Sequence, residues 1–294
     1  MDRALCTLFC ANVATGACRT VRSFDHLIEA PNRAPDGSFV YTSEGRLYRF
    51  DEPSGLEQLL CGAEVGVCSN DHVLSPDASL LAVSCLCPDG AVRIVVLDAG
   101  GRVLRTLPHR DAFVHGFSPD GHSLVYCGVG RTAPGAGDIC VCDVFGGAET
   151  VLTKGEGFND GPEFSPDGKS IWFNSTRTGR MQLFCMDPDG QNVRRVRRSG
   201  QNDWFAHFSP DGTAVAFLSY DEPPADPASH PPGKQVRLQL MDPAGQNLRT
   251  VARLLGGQGT LNVNSFSPDG GEFAFVGYAS KAHLPRNLRQ TKES

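Results

Sequence analysis

The stretch Phe164-Ser165-Pro166-Asp167-Gly168-Lys169-Ser170-Ile171-Trp172-Phe173-Asn174 decides the fold. An apolar residue ends one strand. Ser-Pro-Asp-Gly then turns tightly, with proline fixing φ, aspartate able to bond the turn backbone and glycine taking positive φ. An alternating strand follows. The same anchor stands at Pro35-Asp36-Gly37, Pro119-Asp120-Gly121, Pro210-Asp211-Gly212 and Pro268-Asp269-Gly270, with a degenerate copy at Pro76-Asp77-Ala78. Successive anchor aspartates lie 41, 43, 47, 44 and 58 residues apart. A repeat of about 40–50 residues is the length of one four-stranded propeller blade.

A second turn follows each of the first five anchors by roughly half a repeat, at Asp51 to Gly55, Asp98 to Gly101, Asp143 to Gly147, Asp187 to Gly190 and Asp242 to Gly245. Each repeat therefore reads as strands A-B-C-D, with an A–B turn at Pro-Asp-Gly and a C–D turn at Asp-x-x-Gly. After the sixth anchor the sequence supplies only strands A and B (264–267 and 272–278). The missing pair lies at the start, in 5–11 and 18–21, around a turn at 12–16. The expected fold is all-β: one six-bladed β-propeller over 1–280, its last blade formed by 4–22 and 262–279. Residues 281–294 are expected to be a mobile basic tail. Such a splice removes free sheet edges.

Composition narrows the classes. Among 294 residues the net charge is −6, which argues against a non-specific nucleic-acid binder. No apolar run approaches the roughly 20 residues of a membrane helix. Eleven cysteines, none in C-x-x-C spacing, sit largely in strand-like segments and suit a reducing compartment. The N-terminus, needed to close the ring, argues against a cleaved signal peptide. The expected location is cytoplasmic, or periplasmic if an unrecognised export signal exists.

The Phe-Ser-Pro-Asp-Gly anchors, with Met-Asp-Pro-Asp-Gly-Gln-Asn at 186–192 and Met-Asp-Pro-Ala-Gly-Gln-Asn at 241–247, resemble TolB-type β-propeller repeats over about residues 4 to 280. TolB proteins carry a signal peptide and an additional N-terminal domain and work in the periplasm in envelope integrity. This chain shows neither feature, so the resemblance implies a stand-alone propeller. Similar repeats occur in oligogalacturonate lyases, where histidines around the channel hold a divalent metal.

In a propeller the D–A and B–C connections emerge together at one mouth of the channel. The residues before each anchor are therefore expected to ring that mouth: Glu29 and Asn32; Asn70, Asp71 and His72; His115; Asn159, Asp160 and Glu163; Asn202, Asp203, Trp204 and His207; Asn262 and Asn264. Turn chemistry alone has no use for three histidines and a tryptophan, so a converging polar site is expected, against a solvated lining as the plainer reading. His72, His115 and His207 are the candidate ligands of a divalent metal (Mn, Zn, Fe or Ca). Asp160, Glu163, Asp203 and His207 are candidate acids and bases for cleaving an oligosaccharide. Trp204 offers a face for a sugar ring, and Arg177, in a B–C loop, suits a carboxylate. The proline-rich insertion 220–235 reads as a lid or a plain surface loop. Two functions follow: a scaffold binding a small carbohydrate, peptide or protein, or a metal-dependent lyase or hydrolase. Oligomeric state is not readable from the sequence.

Overall fold

The computed structural model describes residues 5–62 and 65–279, and the basic tail lies outside them. The chain opens with β1 (Cys6–Asn12) and β2 (Cys18–Phe24) and ends with β23 (Glu272–Tyr278). Between them come five antiparallel four-stranded sheets. The first holds β3 (Glu29–Arg33), β4 (Phe39–Ser43), β5 (Arg46–Asp51) and β6 (Leu56–Cys61). The second holds β7 (Val67–Leu74), β8 (Leu80–Leu86), β9 (Val92–Asp98) and β10 (Val103–Thr106). The third holds β11 (Ala112–Phe117), β12 (Ser123–Val129), β13 (Gly137–Asp143) and β14 (Thr150–Val151). The fourth holds β15 (Asn159–Phe164), β16 (Ile171–Ser175), β17 (Gln182–Met186) and β18 (Arg194–Arg195). The fifth holds β19 (Asp203–Phe208), β20 (Val215–Tyr220), β21 (Lys234–Met241) and β22 (Arg249–Gly256). The A-B-C-D order is the one the two turn families imply.

The first strands of neighbouring blades touch one another around the ring: β3 lies beside β7, β7 beside β11, β11 beside β15 and β15 beside β19. They are the innermost strands and wall the central channel. The sixth blade closes as the turn count requires. β1 sits between β2 and β23, pairing Cys6 with Tyr278 through to Asn12 with Glu272. Leu8, Cys10, Phe24, Ala274 and Val276 join one buried cluster with Phe39 and Tyr41 of the neighbouring blade, and Phe9 stacks on Phe275 at 5.2 Å. Arg19 of β2 grips Glu272 with two bonds of 3.1 Å and also reaches Glu52. One expected element is reduced: the innermost strand of this blade survives only as an isolated bridge between Phe266 and Phe273. Side chains supplement its backbone bonds to β23: the Ser265 carbonyl accepts from the Ala274 amide, Ser265 Oγ donates to the Ala274 carbonyl, and Asn264 Oδ1 accepts from the Phe266 amide.

The turns have the chemistry read from the sequence. In each Ser-Pro-Asp-Gly turn the glycine amide donates back to the serine carbonyl, as from Gly168 to Ser165 at 2.8 Å. The serine hydroxyl donates to the turn aspartate, 2.7 Å from Ser165 to Asp167. In the degenerate copy Ala78 occupies the glycine position with φ of 54°.

Candidate functional site: a divided central channel

Each innermost strand of the five complete blades breaks register with its neighbour, between Glu29 and Asn32, Cys68 and His72, Val114 and Gly116, Asp160 and Glu163, and Trp204 and His207. A bulge inserts an extra residue and re-aims the side chains around it. Ala30, Gly161 and Phe205 take left-handed φ of 55–57° at these bulges. The polar residues before the anchors are therefore spread along the channel wall. They do not form a single ring at the D–A mouth, which corrects the expectation.

At the end where the D–A and B–C connections emerge, a cavity of about 230 Å³ is lined by Asp71, Phe113, His115, Cys127, Val129, Phe158, Asp160, His230 and Gln258. His115 Nε2 lies 3.2 Å from Asp160 Oδ1 and 4.0 Å from Asp71 Oδ1. Burial opposes charge on His115, but the bond to Asp160 and the two nearby carboxylates outweigh it and raise its pKa. Burial also works against Asp160, yet the His115 bond holds its pKa below the usual range. Asp71, with weaker partners, is pushed up by burial. Glu29 is pushed up to about 7 by burial, against a 3.4 Å bond from Asn70 Nδ2.

His230 and Gln258 were not among the residues singled out from the sequence. His230 arrives from the proline-rich insertion, held by the Tyr220 hydroxyl on the Pro231 carbonyl (3.0 Å) and by the Gln258 amide on its own carbonyl (3.2 Å). Its ring packs 4.4 Å from Trp204. The insertion thus folds over this end of the channel. A histidine inside so proline-rich a loop was the available signal.

At the opposite end, where the Pro-Asp-Gly turns emerge, a wider cavity of about 520 Å³ opens. All six anchor prolines line it, with Leu74, Phe117, Phe164, Phe208 and Phe266, and Arg33 on its wall. Its polar lining includes Asn32, His115, Glu163 and Asn264. Glu163 is fully engaged: Oε2 meets His207 Nδ1 at 2.6 Å, and Oε1 accepts from the Phe208 amide and Asn264 Nδ2 at 2.9 and 2.8 Å. His115 borders both cavities and divides the channel.

Several expected roles do not survive this geometry. The three candidate metal histidines have separate partners. His72 faces Thr42 Oγ1 (3.1 Å) and the Val40 carbonyl (3.3 Å) of the preceding blade, with burial pulling its pKa down to about 4. His115 is bound to Asp160, and His207 to Glu163 and the Leu261 carbonyl (3.1 Å). Among the described residues no group of three His, Cys, Asp or Glu side chains is arranged to hold a metal. Asp203 is sealed by Ser219 Oγ (2.6 Å) and Arg197 (3.3 Å). Trp204 is 0% exposed, so it cannot stack on a sugar. Arg177 lies over Phe173 and Phe184 and donates to Ser175 Oγ and Asn159 Oδ1, locking a blade instead of meeting a carboxylate ligand. Asn159 also donates to the Gly137 carbonyl, and Asn32 bridges the Leu74 amide and the Asn264 carbonyl. These asparagines are joints between blades.

Comparison with known proteins fits this architecture. Residues 112–230 match a family model described as the TolB beta propeller domain. A solved structure from Agrobacterium tumefaciens, provisionally designated TolB, superposes with a TM-score of 0.87 at 42% identity, covering 94% of this chain and 99% of that one. The chain belongs to the TolB-type β-propeller family. It is also 44% identical over 272 residues to the uncharacterized protein Atu1656 of Agrobacterium fabrum, covering 91% of this chain and 90% of that protein. An oligogalacturonate lyase in complex with manganese shares the fold alone, with a TM-score of 0.56 at 15% identity over 99% of this chain and all of that one. The described residues contain no helix long and apolar enough to cross a membrane.

Proposed function

We propose that this TolB-type propeller is a binding scaffold whose partner is a peptide segment or protein loop docked into the funnel formed by the Pro-Asp-Gly turns. The observation that carries this reading is the funnel's composition: six prolines, four phenylalanines and a leucine surround one concave opening of about 520 Å³. Apolar concavity on a rigid rim favours burial of a partner's apolar side chain. The partner would place an aromatic or aliphatic anchor among Phe117, Phe164 and Phe208, with an acidic group toward Arg33. The oligosaccharide lyase or hydrolase alternative has less support, because Asp203, Glu163 and His207 are bound to neighbouring groups and the histidines do not gather. A cytoplasmic site of action, with the periplasm as alternative, belongs to the same reading.

The test is selection of a displayed random peptide library on the immobilised protein, followed by affinity measurement on Phe164→Asp. Phe164 is part-exposed on the funnel wall. Selected peptides should share an apolar anchor and bind Phe164→Asp at least about tenfold more weakly, since burying an aromatic side chain contributes roughly 1.5–3 kcal/mol. Selected peptides that bind the variant equally well would overturn the reading.

A further inference from the structure

The smaller chamber at the other end of the channel has an imbalance that the funnel does not share. Two carboxylates, Asp71 and Asp160, face it, and neither lysine nor arginine lines it. His115 is the basic side chain in closest contact with them, and it lies nearer Asp160, at 3.2 Å, than Asp71, at 4.0 Å. Glu29 lies close enough to feel the charge on Asp71. A buried carboxylate without a cation is costly. Unmet hydrogen-bonding capacity accompanies this charge. The Nδ1 of His230 is buried and makes no hydrogen bond. Burial pulls the His230 pKa down against the pull of Asp160 and Asp71, so its ring is neutral and can accept a hydrogen bond.

We propose that this chamber binds a small primary ammonium compound, whose charged head lies between Asp71, Asp160 and His230 and whose alkyl stem lies against Phe113, Phe158 and Val129. An ammonium group carries three donors and no acceptor, and the chamber presents two carboxylates and one neutral imidazole to it. Aromatic walls suit the stem and attract the head where a ring face is offered. The volume of about 230 Å³ holds a short chain and excludes a folded partner. A bare divalent metal is a poorer match, since among the described residues no three His, Cys, Asp or Glu side chains are arranged to hold a metal ion, whose ligands must lie closer to it than hydrogen-bond acceptors lie to an ammonium nitrogen. The proposal concerns the end of the channel away from the funnel and stands without the peptide-binding reading.

The test is calorimetric titration at pH 7.5 of the full chain with butylammonium, with butan-1-ol as the neutral isostere and calcium as the inorganic cation. Butylammonium should bind one to one with a dissociation constant in the range of about 1 mM or tighter. Butan-1-ol should bind at least about tenfold more weakly, because a hydrogen bond to a charged group contributes roughly 1.5–3 kcal/mol. Asp71→Asn should weaken butylammonium by a similar factor, and calcium should not displace it. Phe164→Asp, in the funnel, should leave it unchanged. If Asp71→Asn fails to fold, His230→Gln decides, because it lies on the insertion outside the blades, and it should weaken binding severalfold. Equal affinity for alcohol and amine, unaltered binding by the folded variants, displacement by calcium, or no saturable binding would each overturn the proposal.

Discussion

At the scale of single residues the repeat can be compared with its own degenerate copy. Five anchors place glycine after Pro-Asp, and the second places Ala78 there at φ 54° while keeping the serine–aspartate contact, 2.7 Å from Ser75 Oγ to Asp77. A left-handed alanine costs about 1–2 kcal/mol, partly offset because glycine loses more entropy on folding. Ala78→Gly should therefore stabilise the protein by about 1 kcal/mol, read as a higher urea midpoint at unchanged slope. Sequence spacing made this turn legible despite its missing glycine. The fate of Trp204 was not legible, because a tryptophan beside an anchor can face the channel or the next blade, and the bulge at Phe205 decides which.

At the scale of elements the innermost strands carry the information the sequence hides. Their bulges follow no residue signature: the left-handed positions are Ala30, Gly161 and Phe205, of which only the glycine advertises itself. Alternation alone would send Asp160 and Glu163 to opposite faces of β15. The extra residue instead leaves both against channel cavities, Asp160 at one end and Glu163 at the other. Two neighbouring innermost strands also carry opposed titrations. His72 on β7 has a folded pKa near 4 against an ordinary 6.5, so its contribution is full above pH 6.5 and is lost as pH falls toward 4. Glu29 on β3 has a folded pKa near 7 against an ordinary 4.5, so its contribution is full below pH 4.5 and is lost as pH rises toward 7. Glu29→Gln removes only the second. Its stability should climb more steeply than that of the wild type between pH 4.5 and 7, measured by denaturant midpoints across that window. Parallel curves for the two proteins would contradict this assignment.

At the scale of the whole molecule, counting turns was enough to give six blades and the splice of β1 and β2 onto β23, because each turn type has its own backbone requirement. The same counting named most of the channel lining, including Asp71, His115, Asp160 and Glu163. It could not say which lining residues would be satisfied by neighbouring blades, since that depends on contacts some 30 to 100 residues away, such as Asn264 on Glu163. Nor could it show that the six anchor prolines, read as turn formers, line a common apolar mouth. The channel thus has two unlike ends: an apolar funnel at the Pro-Asp-Gly turns and a small acidic chamber beneath the insertion. Hydrogen–deuterium exchange of the protein with and without a selected peptide tests that division most directly. The account predicts slowed exchange in the turns around Ser118 to Gly121, Ser165 to Gly168 and Ser209 to Gly212, with the insertion around His230 unchanged. Protection confined to the insertion and the D–A connections, with these turns unaffected, would contradict it.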